Sequence, residues 1–301
     1  MKEFISSSTY FKQVFGQKVY KIALSCSTTC PNRDGVKGVG GCIYCSEHGS
    51  GDFTYYQDTL NEQITKAKAL VDSKFKGKDK KYIAYFQSFT NTYGNAESLE
   101  AYYNEVLQDK DIVGLSIGTR PDCLSPEILS VLKRLSQKTN LIIELGLQTS
   151  TEETGRYINR CYTNEDYQNA VKALHSIGQD IHVITHIIFG LPKENETDML
   201  NTVRFAVDSG TDGIKIALLH VLKETKLFED YQKGLIPYYS EDEYFALLVK
   251  ALNLIPENIV IHRLTGDGPK AILISPLWTG NKKQVLNALT KTLKENGIAL
   301  V

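Results

Sequence analysis

Seven short apolar runs rich in β-branched residues, separated by longer amphipathic stretches, constrain this chain more than any other feature. They are Tyr20–Ser25, Tyr82–Gln87, Val113–Thr119, Leu141–Gln148, Ile181–Gly190, Gly213–Leu219 and Ile259–Arg263. Runs of this kind read as strands buried on both faces. Between them, Thr59–Val71, Ser98–Leu107, Pro126–Leu135, Asn164–Ile177, Glu196–Asp208 and Glu241–Ile255 read as helices. Ser125 followed by Pro126 is a clear start signal, with serine as N-cap and proline at the first helical position. Six strand–helix units ahead of a seventh strand predict an α/β protein whose parallel strands close into a partial or complete barrel. Its chemistry then belongs at the strand C-termini. An open doubly wound sheet would show the same alternation, but no Gly-x-Gly-x-x-Gly follows the first run to favour a dinucleotide fold.

A chain of 301 residues, 42% of them hydrophobic, can bury a barrel-sized core, and one domain is expected. The near balance of 34 Lys and Arg against 35 Asp and Glu argues against a broadly basic nucleic-acid coat or a polybasic membrane anchor. The densest basic run, Lys74 to Lys81, reads first as a solvated loop and second as a phosphate-binding patch. The first residues offer no apolar stretch long enough to read as a signal peptide, and nowhere do the ~18 apolar residues that a membrane helix needs run together. A cytoplasmic protein with no membrane partner is therefore expected. In a reducing compartment cysteines are not expected to pair, so four of them within residues 26–45 read as metal-binding or catalytic. Cys123 and Cys161 stand apart and read as small buried apolar residues.

Cys26, Cys30, Cys42 and Cys45 lie in the loop after the first run, with Gly35, Gly38, Gly40 and Gly41 among them to let the backbone wrap closely around something compact. Spacing alone admits a structural zinc held by all four thiols as readily as an iron–sulfur cluster. Position favours the cluster. Structural zinc staples small modules poor in core, whereas this loop would open the catalytic face of a large barrel.

Cys30-Pro-Asn-Arg-Asp-Gly followed by Gly40-Gly41-Cys42-Ile-Tyr-Cys45 resembles the cluster loop of radical S-adenosylmethionine (SAM) proteins near the Elongator catalytic subunit, specifically a small bacterial family with an eleven-residue first gap. The resemblance extends through Phe86–Tyr93, Gly118–Cys123, Glu144–Thr149, Gly190-Leu191-Pro192 and His262–Asp267, and so covers nearly the whole chain. It implies a partial (β/α)6-type TIM barrel over about residues 18–222, with a C-terminal extension over about 223–301. It also implies a [4Fe–4S] cluster on Cys30, Cys42 and Cys45, with no required role for Cys26. Three thiolates leave one iron open to the amino and carboxylate groups of SAM, whose reductive cleavage gives a 5′-deoxyadenosyl radical. An electron donor such as flavodoxin or ferredoxin is implied too. Tyr44 resembles the aromatic position that packs beside the adenine.

Bound SAM needs donors and acceptors around it. By the same resemblance Gln87, Ser88 and Thr90 are candidates for its ammonium, and Thr119 and Arg120 for ribose or carboxylate, unless Arg120 simply pairs with Asp122. Glu144, a carboxylate inside the run Leu-Ile-Ile-Glu-Leu, must have a partner and suits ribose or ammonium. His182, His186, Lys215 and His220 lie on or just after the fifth and sixth strands and are substrate-pocket candidates, against the plainer reading of satisfied core residues. Arg263 suits a phosphate or carboxylate. Relatives commonly carry an Arg-Gly-His-Thr run where this chain reads Arg160-Cys161-Tyr162-Thr163, so no role transfers to those positions.

Proteins close to the Elongator subunit act on the wobble uridine of tRNA. With the chain ending at Val301 and no acetyltransferase domain, the resemblance implies editing of a side chain already present, such as carboxymethylaminomethyluridine to aminomethyluridine. A tRNA partner is thus expected, although its basic footprint is reduced to residues 74–81 with Lys282 and Lys283. Two readings from other classes are a zinc-stapled RNA- or protein-binding module and a barrel lyase in which Lys215 forms a Schiff base beside structural zinc.

Overall fold

All seven apolar runs form strands of a single parallel sheet. The computed structural model describes residues 1–26, 28–47, 49, 54, 57–77, 79–178, 180–266 and 268–301. Its first half runs β1 (Lys2–Phe4), α1 (Ser7–Phe15), β2 (Val19–Leu24), α2 (Leu60–Lys74), β3 (Lys81–Phe86), α3 (Ala96–Val106), β4 (Ile112–Thr119), α4 (Pro126–Ser136) and β5 (Asn140–Gln148). There follow α5 (Glu152–Tyr157), α6 (Asn164–Ile177), β6 (Ile181–Phe189), α7 (Glu196–Asp208), β7 (Gly213–Leu218), β8 (Val221–Leu222), α8 (Lys226–Gln232) and α9 (Glu241–Leu254). The chain closes with β9 (Val260–Arg263), β10 (Leu273–Ser275), α10 (Lys282–Glu295) and β11 (Ile298–Leu300). The large sheet has the order β2-β3-β4-β5-β6-β7-β9, every pair parallel. Because β2 and β9 do not pair with each other, the barrel is partial and keeps a lateral gap.

The helices form where local chemistry demands. Thr59 with Glu62, Thr163 with Asp166, Asn195 with Asp198 and Ser240 with Glu243 are reciprocal capping boxes, and Ser125 accepts the amide of Ile128 ahead of Pro126. Each helix then turns one apolar stripe inward. On α4, Ile128, Val131, Leu132 and Leu135 are buried against the sheet, and each such side chain stabilises the fold by about 1.5–3 kcal/mol. Together with the strands they build one large core.

Two smaller apolar clusters position the site. Ile43, Ile158, Leu191, Leu219, Val221 and Leu227 seat the cysteine loop on the C-terminal end of the barrel. At the other end, Phe11 of α1 joins Val19, Ile83, Ile142 and Ile184 to plug the interior from below. The plug is tied down by the chain's own far end. β1 pairs with β11, Lys2 opposite Ile298, and Ser6 bridges to Ile261 of β9.

The plug helix, α5, α8, α10 and the short strands β1, β8, β10 and β11 were not expected from sequence. Their signals are short or, in α10, a lone stripe of Val285, Leu289 and Leu293 in a polar helix. Where β6 was expected to end at Gly190, it ends at Phe189, because Gly190 turns into the left-handed region at φ 81°.

Candidate active site

The parallel register puts one polar side chain from almost every barrel strand at the same height. Tyr85 lies opposite Ser116, and His186 lies opposite Lys215, which in turn lies opposite Arg263. Glu144 stands at their centre. Its Oε1 accepts from Lys21 Nζ at 2.6 Å and Ser116 Oγ at 2.8 Å. Its Oε2 accepts from Tyr85 OH at 2.9 Å, from His186 Nε2 at 2.7 Å and from Lys215 Nζ. Burial alone would push this carboxyl up. The charges of Lys21 and Lys215, with the His186 hydrogen bond, overcome burial and hold it well below the usual carboxylate range. Burial draws Lys215 down to about 7 despite Glu144, and it lowers His186 as well.

Above this layer opens a cavity of about 340 Å³, lined on one side by Cys30, Cys42 and Cys45 and on the other by His186, Lys215, His220 and Arg263. Asn32 donates to Cys42 Sγ at 3.6 Å and to the carbonyl of Asn159. A Cβ on Gly38 would strike the Asn32 amide, so only glycine lets the loop fold this tightly. The Cys42 thiol is held down to about 6, first by a hydrogen bond from Cys45 and then, against burial, by the charge of Arg120. Arg33 secures the far side of the loop through the carbonyls of Ser46 (2.5 Å) and Glu47 (2.9 Å). Cys26 does not line the cavity. Its Sγ donates to Asn91 Oδ1 at 3.0 Å, which separates it from the other three thiols and removes the four-cysteine zinc staple that spacing had left open.

The cavity also contains most residues expected to surround SAM. Tyr44, Gln87, Thr90, Thr119, Arg120 and Glu144 all contribute to its lining. Thr90 is buried, and its Oγ1 has no hydrogen-bond partner. Three thiols, one of them held toward the thiolate, and an orphaned hydroxyl on one cavity wall fit a cluster with a polar ligand beside it. Two expectations change, for Ser88 and Glu144, and Arg120 takes the alternative of pairing with Asp122. Ser88 is not in the lining and pairs with Thr54 Oγ1 at 3.1 Å. Arg120 gives both prongs of its guanidinium to Asp122 at 2.9 Å, and its remaining nitrogen to the carbonyl of Arg160. Glu144, with five protein donors, is the centre of the polar layer rather than an open acceptor.

Among the substrate-pocket candidates, His186, Lys215 and His220 face the cavity and His182 does not. His182 lies at the plugged end, its Nε2 2.8 Å from that of His262 and its ring stacked on Tyr10 at 4.2 Å. Its place at the start of β6 puts it there. His220 pairs with Thr279 Oγ1 at 2.9 Å, and a Cβ on Gly266 would collide with its ring, which gives the glycine of the His262–Asp267 segment a packing reason. Asp267 itself lies outside the described residues.

Sequence reasoning missed Lys21, Tyr85, Ser116 and Tyr162. The first three are polar residues at inward positions of apolar strands, a signal that was available for Glu144 and overlooked for them. Tyr162 is buried with Arg120 and Arg160 each 4.8 Å from its ring, and its OH lies 2.9 Å from the carbonyl of Gly146. Cys161 beside it has φ 60°, a left-handed conformation that favours glycine.

Comparisons with known proteins agree with this architecture. The Radical SAM superfamily matches residues 25–206, and the Radical_SAM C-terminal domain matches residues 211–295. The chain is 42% identical over 297 residues to the protein YtqA of Bacillus subtilis, covering 98% of this chain and 91% of that one. It is 29% identical over 211 residues to the tRNA uridine(34) acetyltransferase of Methanocaldococcus jannaschii, covering 68% of this chain but 37% of that protein. Its fold is similar to that of the archaeal Elp3 of Methanocaldococcus infernus, with a TM-score of 0.66 at 18% identity over 93% of this chain and 63% of that one. Among the described residues, no helix is long and apolar enough to cross a membrane. With its half-barrel, its cysteine loop and these matches in accord, the chain belongs to the radical SAM superfamily, and its cofactors are a [4Fe–4S] cluster and SAM.

Proposed function

We propose that this chain is a radical SAM enzyme acting on tRNA, and that it converts a carboxymethylaminomethyl side chain on the wobble uridine to aminomethyl. The observation that carries the reading is the match to the archaeal tRNA uridine(34) acetyltransferase, which covers 68% of this chain and only 37% of that protein. The radical SAM match over residues 25–206 supplies radical chemistry, and removal of a group from a side chain already built needs no acyl donor.

In this reading Cys30, Cys42 and Cys45 hold the cluster, and Tyr44, Gln87, Thr90 and Thr119 face SAM. When bound, these groups supply a 5′-deoxyadenosyl radical that abstracts a hydrogen atom from the substrate. The chain's other residues bind and orient. Glu144 fixes Lys215 at the cavity floor, where Lys215 and Arg263 suit the carboxylate of the group to be removed. His220, held by Thr279, borders the same space. Arg120 and Ser88 brace the surrounding loops. A flavodoxin or ferredoxin supplies the electron.

Nucleoside mass spectrometry of tRNA from cells lacking the gene tests the reaction. Carboxymethylaminomethyluridine should accumulate while aminomethyluridine and nucleosides made from it decline. An unchanged wobble-uridine profile overturns the proposal.

A further inference from the structure

The loop from Cys30 to Cys42 has no helix and only the isolated bridge between Asp34 and Val39, so its shape is imposed from outside. Two segments distant in sequence clasp it. Beyond α5, the carbonyl of Ile158 accepts the amide of Ile43 at 3.1 Å, and Asn159 Nδ2 donates to the carbonyls of Gly41 at 2.8 Å and Val39 at 3.2 Å. At the start of α8, the amide of Leu227 donates to the carbonyl of Ile43 at 2.9 Å. Asn159 sits at φ 56°, in the left-handed region that asparagine enters more readily than most residues.

The clasp reaches the thiols through one side chain. Asn32 is wholly buried, and its amide nitrogen donates to Cys42 Sγ at 3.6 Å and to the carbonyl of Asn159. Turning the amide over would set its oxygen against both of these acceptors, so they fix the direction in which the N–H groups point. The oxygen, Oδ1, is buried with no hydrogen-bond partner. An unpaired acceptor in the interior destabilises a fold, which makes Asn32 a poor choice for stability alone. What it delivers is an N–H aimed at a thiol of the cysteine set. Cys45 and Tyr44 also bond to Cys42, but Cys45 is itself one of the three ligands and Tyr44 belongs to the wall that faces SAM. Asn32 is the donor supplied from inside the loop. Hydrogen bonds to the sulfurs of a cluster favour its reduced, more negative state and raise its reduction potential.

We propose that Asn32, clamped by Asn159, is a positioning residue that sets the reduction potential of the cluster through its N–H to Cys42 Sγ. The step it governs is the transfer of one electron from a low-potential protein donor to the oxidised cluster, in which no bond is made or broken. It depends on the cluster alone and goes beyond the tRNA reading, since it holds whatever the substrate.

The test uses reconstituted, cluster-loaded protein, kept anaerobic and free of SAM, titrated against dyes of known potential and followed by electron paramagnetic resonance. Asn32→Leu, similar in size and without donors, should shift the reduction equilibrium about tenfold toward the oxidised cluster, a potential lower by about 59 mV for a one-electron couple. Asn159→Gly keeps the left-handed backbone and the carbonyl that holds Asn32 but loses the bonds to Val39 and Gly41. It should surrender iron to a chelator about tenfold faster, with its potential close to that of the wild type. Asn287→Ala, an exposed change on α10, should alter neither property. A measurement on the wild-type chain covers the case in which Asn32→Leu fails to load. With isotopically labelled nitrogen in the asparagine side chains, pulsed resonance of the reduced cluster should show coupling to a labelled nitrogen. An Asn32→Leu cluster of unchanged potential, or a wild-type cluster with no such coupling, overturns the proposal. An unchanged wobble-uridine profile in cells lacking the gene would remove the tRNA reading and leave this one standing.

Discussion

Cys26 and Asn91 are hydrogen-bonded, Sγ to Oδ1 at 3.0 Å, and the amide nitrogen of Asn91 in turn donates to the carbonyls of Phe86 and Gly118. That contact holds Cys26 against the ends of β3 and β4 and away from the other three thiols. Cys26→Ser, whose hydroxyl can keep the bond to Asn91, should retain about four irons per chain and the broad absorbance near 400 nm expected of such clusters after anaerobic reconstitution. Serine at Cys30, Cys42 or Cys45 should abolish both. Iron loss of equal size in all four variants would mean that Cys26 is a ligand.

Glu144 is the buried counter-charge for two half-buried ammonium groups. Replacing it with glutamine keeps the shape and leaves Lys21 and Lys215 without their carboxylate. Breaking a buried pair in this way costs about 3–5 kcal/mol. Because Lys215 already titrates at about 7, it can shed its proton and bring the loss toward the lower end of that range. The urea midpoint of Glu144→Gln at neutral pH should therefore fall clearly below that of the wild-type protein. An unchanged midpoint would show that the five contacts contribute nothing net.

At the plugged end, His182 is neutral by construction. Its Nε2 shares one proton with His262 Nε2 at 2.8 Å, Tyr10 covers its ring, and burial lowers it to about 4 from 6.5, with Asp212 opposing and Lys21 reinforcing the shift. The unfolded chain takes up this proton near 6.5 and the folded chain does not until about 4. Stability is therefore lost as pH falls through that window, by about 3 kcal/mol at its foot. His182→Gln, which can still pair with His262 but does not titrate, should show a flatter decline of thermal midpoint between those pH values. Parallel declines in the two proteins would refute the assignment.

Cys161 occupies the left-handed region at φ 60°, where a residue with a Cβ costs about 1 kcal/mol and a β-branched one more. Cys161→Gly relieves that strain but adds freedom to the unfolded chain, so its stability should lie within about 1 kcal/mol of wild type. Cys161→Val should lose more than that. If valine is tolerated as well as glycine in denaturant titrations, the backbone at this position is not strained.

The barrel was legible because its signal is repeated: each strand is a β-branched apolar run and each helix begins at a cap that the sequence spells out, as at Ser125-Pro126 or Thr163 to Asp166. The plug, α10 and the β1–β11 pair were not, since a three-residue strand such as Lys2–Phe4 exists only because Ile298–Leu300 arrives beside it. In the site, the buried partners of Glu144 agree with the sequence, whereas spacing alone grouped Cys26 with three thiols whose cavity it does not line. What the sequence could not give was valence. A carboxylate in an apolar strand announces that it has partners, but only register shows that Lys21, Ser116, Tyr85, His186 and Lys215 supply all of them from within the protein. Likewise the lysine run at 74–81 is conspicuous in the sequence, while in the structure Lys80 pairs with Asp72 and Lys81 with Asp111.

The pairing of β1 with β11 also orders events in time. On the ribosome, the strand that anchors the plug has no mate until residues 298–300 have emerged, so the floor of the barrel stays unsealed through synthesis of every strand above it.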